Sequence, residues 1–305
     1  MLIHHAASKP VRSISTTVST ALAGVSHADL RAWVKRLSVP RHFRQQPMEN
    51  RNAAIWIAAQ LQSWGYSVQL QGQFYNVVAL PRDLRRTVLL VGAHFDSRPA
   101  TPGADDNASA VAAMLGCAKA LSKVLPDVSV GFIAFNCEED GLLGSRDFVE
   151  NFVLPEKLMI AGAHVLEMVG YATHEPGTQM TPTGLPIRIP NIGDFLGLLG
   201  NSKSVALLDN TLALANTYLP GFPVISLRVT LGLEKHFPVL QRSDHAPFWQ
   251  HGIPSVMWTD TSEFRNPHYH RMSDIPETLD YPFLRRVTQL LFACAASFDA
   301  KLINK

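Results

Sequence analysis

The sequence GAHFDSRPATPGADDNASA (92–110) sets the interpretation of the whole chain. It overlaps an apolar run, TVLLVGA (87–93), that predicts a buried strand. His94 and Asp96 follow that strand, and Asp106 follows a Pro/Gly loop at the predicted start of a helix. Imidazole and carboxylate groups bind zinc-like ions, and strand ends and helix starts are where an α/β fold presents its chemistry. The stretch therefore predicts a metal site at one edge of a sheet.

Length and composition indicate a folded enzyme of the α/β class. The chain has 305 residues, enough to bury a sizeable core, and its 47% hydrophobic and 17% charged residues argue against extensive disorder. With a net charge of +2 and no basic block with interleaved aromatics, no nucleic-acid partner is expected. No apolar stretch reaches the ~18 residues of a membrane span. Three widely spaced cysteines predict neither a disulfide framework nor a CxxC zinc site.

The first 28 residues differ in composition from the rest of the chain. They contain no Asp or Glu, several Ser and Thr, and no continuous apolar segment of the kind that a secretory signal has. We expect residues 1–28 to be a flexible tail and residues 29–305 to be a single catalytic domain. We also expect a cytoplasmic protein. Nothing in the sequence indicates an oligomeric state.

Apolar periodicity predicts strands that alternate with helices. The predicted strands are 67–71, 76–80, 87–93, 128–136, 163–169, 222–231 and 253–259; the predicted helices are 29–37, 47–64, 107–124, one from about 143, 192–203, 209–217, 243–250 and 281–299. Such alternation indicates a three-layer α/β/α fold around a mostly parallel, mixed central sheet.

Residues able to bind metal recur at successive predicted strand ends and tight loops. After His94 and Asp106 come Glu138 with Glu139, then Glu167, and then His270. Each alone is weak evidence, and Glu138 with Glu139 also fits two solvated acids that open a helix. A cluster of buried carboxylates, however, needs a compensating cation. In metal-assisted hydrolysis one member of such a pair can bind metal while its neighbour stays free as a general base.

Six motifs together resemble the co-catalytic zinc aminopeptidases, a family that also includes glutamate carboxypeptidase and glutaminyl cyclase. They are GAHFDS (92–97), PGADDNASA (102–110), FNCEEDGLLGS (135–145), VLEMVG (165–170), RSDHAPF (242–248) and NPHYHRMSD (266–274), in the family's order. The resemblance covers roughly residues 45–300 and implies the zinc-exopeptidase (phosphorylase/hydrolase-like) fold.

The resemblance implies two zinc ions, with Co²⁺ or Mn²⁺ as other suitable metals. His94 and Glu167 would bind one ion, Glu139 and His270 the other, and Asp106 would bridge them. Glu167 stands where many members of the family have Asp, so we expect retained function with altered metal affinity at that position.

The resemblance also implies catalytic roles. Glu138 would be the general base and acid, Asp96 would sit behind His94 and orient it, and Tyr269 would help to stabilise the oxyanion. A cis peptide is expected after Asp106. We do not expect Asp105 or Asn107 to be ligands.

Two further histidines are not expected to bind metal. Asp244 and His245 in the SDH motif are interpreted as supporting groups or pocket wall, and His268 as a solvated loop residue. The last ligand of the family matches the histidine that is followed four positions on by an aspartate, which here is His270 with Asp274.

The implied reaction is hydrolysis of an N-terminal peptide bond, with a peptide or small amide as substrate. A carboxypeptidase or small-molecule amidohydrolase could use the same site, and a glutaminyl cyclase has related motifs with one zinc. A non-catalytic binding protein on this fold is the remaining alternative. Residues 172–190 and 218–240 are expected to line the substrate pocket.

Overall fold

The computed structural model describes residues 1–298, whose strands form one mixed sheet. The strands are β1 (Leu2–His5), β2 (Val68–Gln71), β3 (Asn76–Ala79), β4 (Val88–His94), β5 (Val130–Phe135), β6 (Ile160–Glu167), β7 (Leu196–Gly200), β8 (Val224–Arg228) and β9 (Ser255–Thr259). Their order across the sheet is β1-β8-β7-β9-β6-β4-β5-β3-β2. The central strands β5, β4, β6 and β9 run parallel, and antiparallel pairs lie toward both edges.

Helices cover both faces of this sheet. They are α1 (Thr16–Ala23), α2 (His27–Leu37), α3 (Pro47–Ser63), α4 (Ala110–Val124), α5 (Leu143–Phe148), α6 (Val205–Tyr218), α7 (His245–Gln250) and α8 (Tyr281–Ala296). None of the described helices is long and apolar enough to cross a bilayer.

Alternate side chains of β4 enter two separate cores. Leu89 and Val91 pack in the larger core with α1 to α4, α6 and α8. Val88 and Leu90 pack in the smaller core, which includes side chains of α5 and α7. This period-two alternation is what a strand buried on both faces requires. It confirms the predicted three-layer α/β/α architecture with a mixed central sheet.

One predicted helix is wrong. Residues 192–203 contain the strand β7, which pairs parallel with β8 and antiparallel with β9. Its sequence, LGLLG, is a short apolar run, and periodicity alone cannot show whether such a run is a strand or a helix.

The helix predicted over 107–124 is regular only from Ala110, since residues 104–109 have an irregular helical turn. The last helix ends at Ala296, and its predicted end at 299 lies outside the described residues.

The prediction of a flexible tail over residues 1–28 is corrected by the packing of this segment. Leu2–His5 form β1, which pairs antiparallel with β8 at the sheet edge. α1 buries Val18 and Leu22, and Gln289 of α8 donates a hydrogen bond to the Leu22 carbonyl oxygen at 2.9 Å. The absence of acidic residues from this segment is compatible with a tail, but the apolar spacing of Val18 and Leu22 is that of a helix with one buried face.

Replacement of Leu22 tests whether the N-terminal segment is part of the fold. Leu22→Ala should lower the free energy of unfolding by about 2–5 kcal/mol, because it removes buried methyl groups and leaves a cavity. Urea denaturation measures the change. Ile14→Ala, at a position 63% exposed, is the matched control and should change stability by less than about 0.5 kcal/mol. Equal, small effects of both substitutions would show that α1 does not contribute to the core.

Candidate active site

The candidate site is built at the carboxyl edge of the parallel strands. His94 ends β4, Glu167 ends β6, and Glu138 and Glu139 follow β5. Because β5, β4 and β6 are adjacent and parallel, their carboxyl ends meet at one edge, where ligands bind in open α/β sheets. His270 reaches the same place from the loop before α8.

The structure brings the five predicted ligands and Glu138 together in two groups. Ligand atoms of His94, Glu138 and Glu167 lie within 4.8 Å of one another, and so do those of Asp106, Glu139 and His270. The Nε2 atom of His94 is 3.4 Å from Glu167 Oε2, and the Nε2 atom of His270 is 3.7 Å from Glu139 Oε2.

Asp106 joins the two groups through separate oxygen atoms. Its Oδ1 atom is 3.4 Å from His94 Nε2, and its Oδ2 atom is 3.2 Å from His270 Nε2. The expected cis peptide between Asp106 and Asn107 is present. A carboxylate in this position can offer one oxygen to each of two cations.

The donor atoms fit divalent cations. His94 is 1% exposed, and neither of its ring nitrogens has a hydrogen-bond partner. The Oε1 atom of Glu139 is also buried without a partner. Buried polar atoms are normally satisfied, because an unsatisfied one is costly. Cations held by imidazole and carboxylate would satisfy these atoms, and zinc prefers that donor set.

The pKa values of the buried acidic side chains are shifted in different directions. Burial raises the pKa of Glu138 well above its usual value and raises the pKa of Glu139 to about 10. Burial also acts to raise the pKa of Asp106, but the nearby imidazoles of His270 and His94 outweigh burial and lower the pKa. Asp106 therefore stays ionised. A cation between the groups would favour the ionised form of both glutamates.

The carboxylates around His94 raise its pKa. Burial lowers the pKa of His94, but the negative charges of Glu167 and Glu138 outweigh burial and raise it well above its usual value. A bound cation requires the neutral imidazole, so it would displace that proton.

Asp96 contacts both His94 and the glutamate pair. Its Oδ1 atom is 3.4 Å from His94 Nδ1. Its two oxygens also accept hydrogen bonds from the backbone N–H groups of Glu138 and Glu139, each at 3.2 Å. The sequence predicts the contact with His94 but not the contacts with the glutamate backbone.

The neighbours of Asp106 hold its loop in place. Asp274 accepts hydrogen bonds from the backbone N–H groups of Asp105 at 2.8 Å and of Asp106 at 3.1 Å. Asn107 donates to the Leu166 carbonyl oxygen at 3.1 Å and accepts from the backbone of Met168 at 2.9 Å. Asp105 and Asn107 thus lie outside both ligand groups. Their side chains form hydrogen bonds with backbone groups at the end of β6 and just after it.

The sequence does not predict the structural role of Arg41. Its fully buried guanidinium donates to the carbonyl oxygens of Phe95 at 2.5 Å, Pro102 at 2.6 Å and Gly103 at 3.0 Å. Burial lowers its pKa to about 10, so the side chain remains charged at neutral pH. It ties the end of β4 to the loop before Asp106. A single Arg in an unremarkable loop carries no sequence signal for this role.

Tyr269 stacks on His270 and receives a hydrogen bond from Arg242. The ring centroids of Tyr269 and His270 are 3.7 Å apart at 22°, and Arg242 Nη2 is 2.9 Å from the Tyr269 hydroxyl. Arg242 also forms an ion pair with Glu263. Burial raises the pKa of Tyr269, which keeps its hydroxyl protonated.

The remaining polar residues of the motifs lie outside the two ligand groups. The Nε2 atom of buried His245 is 2.9 Å from the Leu240 carbonyl oxygen. Asp244 is fully buried, and burial raises its pKa to about 7. His268 Nδ1 is 3.0 Å from Ser273 Oγ.

A cavity of about 370 Å³ adjoins the ligand groups, and Asp106, Glu138 and Glu167 line it. Both segments predicted to form the pocket contribute to its wall, with Leu185 and Ile187 from 172–190 and Leu227 and Val239 from 218–240.

These features define a class of protein. Two histidine–carboxylate groups that share Asp106 lie at the carboxyl edge of an α/β/α sheet, beside a cavity of ligand size. This is the donor set and setting of a metal-dependent hydrolase.

The chain belongs to peptidase family M28, whose family model matches residues 76–210 and 226–295, more than half of the chain. It is therefore a peptidase, and the resemblance drawn from its motifs is confirmed.

Several relatives and solved structures are similar to the chain. YfbL of Escherichia coli (strain K12), an uncharacterized protein, is 32% identical over 239 residues, which are 71% of this chain and 68% of YfbL. The crystal structure of the LapA aminopeptidase of Legionella pneumophila matches with a TM-score of 0.73 at 20% identity, covering 94% of this chain and 76% of LapA. The LapA match confirms the predicted fold.

BSAP, a zinc aminopeptidase from Bacillus subtilis, matches with a TM-score of 0.54 at 26% identity, covering 74% of this chain and 51% of BSAP. The curated relatives that bear the name aminopeptidase are much longer than the part matched by this chain, which is 20 to 43% of their length.

Replacement of Asp274 tests how the Asp106 loop is held. Asp274→Asn keeps the volume but places an amide donor against two backbone N–H groups, so Asp106 should lose its fixed position. We expect zinc affinity to fall by about 10- to 100-fold, measured by competition with a chromophoric chelator. Asp127→Asn, at an exposed position, is the matched control and should bind zinc like the wild type. Wild-type affinity in Asp274→Asn would contradict the role given to these hydrogen bonds.

Proposed function

We propose that the chain is an aminopeptidase that uses two zinc ions. His94 and Glu167 would hold one ion, Glu139 and His270 would hold the other, and Asp106 would contribute to both. The observation that carries this proposal is the position of Asp106, whose two oxygens face His94 at 3.4 Å and His270 at 3.2 Å. Membership of a peptidase family and the similarity to BSAP, described as a zinc aminopeptidase, support it.

The zinc pair, when bound, supplies Lewis acidity that lowers the pKa of a water molecule and polarises the scissile carbonyl group. The side chains of the protein supply the proton transfers. Glu138 lies beside His94 and Glu167 and lines the cavity, so it can reach both water and substrate. In this proposal its carboxylate accepts a proton from the attacking water and later donates that proton to the leaving amine.

Tyr269 is assigned the role of stabilising the oxyanion that forms during hydrolysis. Its hydroxyl accepts a hydrogen bond from Arg242, and its own proton remains available for donation to a developing negative charge. Asp96 is assigned the orientation of the His94 ring, in line with its 3.4 Å contact to Nδ1.

The charges that line the cavity favour an aminopeptidase over a carboxypeptidase. A free α-amino group would be attracted by the carboxylates of Glu138 and Glu139. A terminal carboxylate would need an available cation, but both arginines that line the cavity are engaged: Arg98 contacts Glu139 at 3.6 Å, and Arg242 pairs with Glu263.

Removal of the proposed base tests the mechanism. Glu138→Gln should retain zinc and lose about 10²- to 10⁴-fold in kcat on aminoacyl amides, the usual contribution of a general base. Metal analysis and a fluorogenic amide assay measure the two quantities. Glu156→Gln, at an exposed position, is the matched control and should keep wild-type activity. Unchanged turnover in Glu138→Gln would eliminate Glu138 as the base.

A substrate panel tests the reaction class. The wild-type protein should hydrolyse peptides with a free N-terminus and leave N-acetylated peptides intact, because acetylation removes the charge that Glu138 and Glu139 attract. Equal cleavage of blocked and free peptides would contradict the aminopeptidase proposal. Cyclisation of N-terminal glutamine without peptide hydrolysis would support the glutaminyl cyclase alternative instead.

A further inference from the structure

We propose that Asn50 and Asn136 form a positioning pair for Glu138, the proposed base. The pair joins the turn that carries Glu138 to the loop of Arg41. This proposal rests on the proposed function, because Glu138 needs a fixed position only if it transfers protons. It extends that function to two amide side chains that lie outside the ligand groups.

Residues 137–142 form the turn after β5 that carries Glu138 and Glu139. Cys137 and Leu142, at the two ends of this turn, have φ angles of 56° and 61°. Residues other than glycine avoid this left-handed region, because the Cβ atom crowds the backbone there. Such a conformation persists only where the surrounding structure imposes it. The contacts that hold the turn therefore determine the position of Glu138.

Asn136 holds the first residue of the turn. Its Oδ1 atom accepts a hydrogen bond from the backbone N–H of Cys137 at 3.0 Å. Asn136 is fully buried, and its backbone N–H donates to Asn76 Oδ1 at 3.0 Å. Its side-chain nitrogen donates to the Phe74 carbonyl oxygen at 2.8 Å. Asp96 bonds the next two backbone N–H groups of the turn, so Asn136 fixes the residue from which the turn starts.

Asn50 completes the hydrogen bonding of the Asn136 side chain. Asn50 Nδ2 donates to Asn136 Oδ1 at 2.8 Å, and Asn136 Nδ2 donates to Asn50 Oδ1 at 2.9 Å. Asn50 belongs to α3 and is buried. With its bonds to Cys137 and Phe74, the Asn136 amide thus uses both of its donors and accepts two hydrogen bonds. This fills its full capacity, and an ionised carboxylate of the same shape could not donate at all.

Asn50 also connects the pair to the loop before Asp106. Its Nδ2 atom donates to the Arg41 carbonyl oxygen at 2.8 Å. The Arg41 guanidinium donates in turn to the carbonyl oxygen of Gly103, in that loop, at 3.0 Å. A continuous connection through Arg41 thus runs from the turn of Glu138 to the loop of Asp106. Buried networks whose members are all satisfied are rigid, so the base and the shared carboxylate are held relative to each other.

The chain just after the turn is held against the same residue. Asn76, whose Oδ1 atom accepts from the backbone of Asn136, donates through Nδ2 to the Gly144 carbonyl oxygen at 2.9 Å. Gly144 packs so closely that a Cβ atom added there would overlap the Asn136 carbonyl oxygen. Asn136 therefore contacts the chain on both sides of the turn. Its replacement should loosen the whole of residues 137–142.

Hydrogen exchange in the metal-free protein tests the pair without requiring activity. The backbone amides of residues 137–142 should exchange about tenfold faster in both Asn50→Ala and Asn136→Ala, because loss of a buried hydrogen bond favours local opening of the turn. Gln289→Ala is the matched control, since it also removes a buried amide that donates to a carbonyl oxygen, that of Leu22. It should leave kcat and the exchange of the turn unchanged. Wild-type exchange in Asn136→Ala would overturn the proposal.

Turnover of the zinc-loaded protein tests whether the two amides act as a unit. Asn50→Ala and Asn136→Ala should each lower kcat on aminoacyl amides by about 10- to 100-fold. KM should change little, because neither side chain is among the described residues that line the cavity. The double replacement should lower kcat no further than Asn136→Ala alone, since effects within one network are not additive. Losses that multiply would show that the two amides act separately and would overturn the pair.

The outcomes separate the positioning pair from the proposed function. If the wild type hydrolyses no aminoacyl amide but the turn exchanges faster in both variants and not in Gln289→Ala, the aminopeptidase proposal fails, and the pair is retained as the support of the turn. If the wild type is active and both variants match it in kcat and in exchange, the proposed function stands and the positioning pair fails. Should Asn136→Ala not fold, Asn50→Ala decides by the same two measurements.

Discussion

The buried charge around Asp106 is the constraint on which the rest of the structure depends. Side chains from five segments of the chain meet in one small volume at the carboxyl edge of the sheet. Buried carboxylates are unfavourable unless a cation compensates them. The raised pKa of Glu138 and Glu139 and the unpartnered nitrogens of His94 show that protein groups alone do not compensate them. A pair of divalent ions would satisfy all of these groups at once.

The surrounding structure holds this charge in position. Arg41 ties the end of β4 to the loop before Asp106, and Asp274 bonds the backbone of that loop. Asp96 touches the His94 ring and bonds the backbone of the glutamate pair. The ligands thus depend on one connected set of hydrogen bonds. Adjacent residues of the same type therefore differ in role: Asp106 faces two histidines, while Asp105 accepts a hydrogen bond from the backbone of Gly170 at 2.9 Å.

The central strands and the convergence of His94, Asp106 and Glu167 could be predicted from the sequence, because long apolar runs identify buried parallel strands and their carboxyl ends must meet. The strand β7 could not be predicted, since the periodicity of its short sequence, LGLLG, does not distinguish a strand from a helix. The pairing of β1 with β8 and the hydrogen bonds of Arg41 depend on contacts distant in sequence, which no local pattern encodes. The metal assignments and the cytoplasmic location stay predictions.

The number of zinc ions per chain is the most direct test of a site in which Asp106 serves both ligand groups. The metal-free full-length protein is titrated with zinc against a chromophoric chelator, and bound metal is counted by elemental analysis. We expect two zinc ions per chain for the wild type. We also expect weakened binding of both ions in Asp106→Asn, because one carboxylate serves both groups. A wild-type protein that binds a single zinc ion, or an Asp106→Asn variant that binds two as tightly as the wild type, would contradict a two-zinc site that shares Asp106.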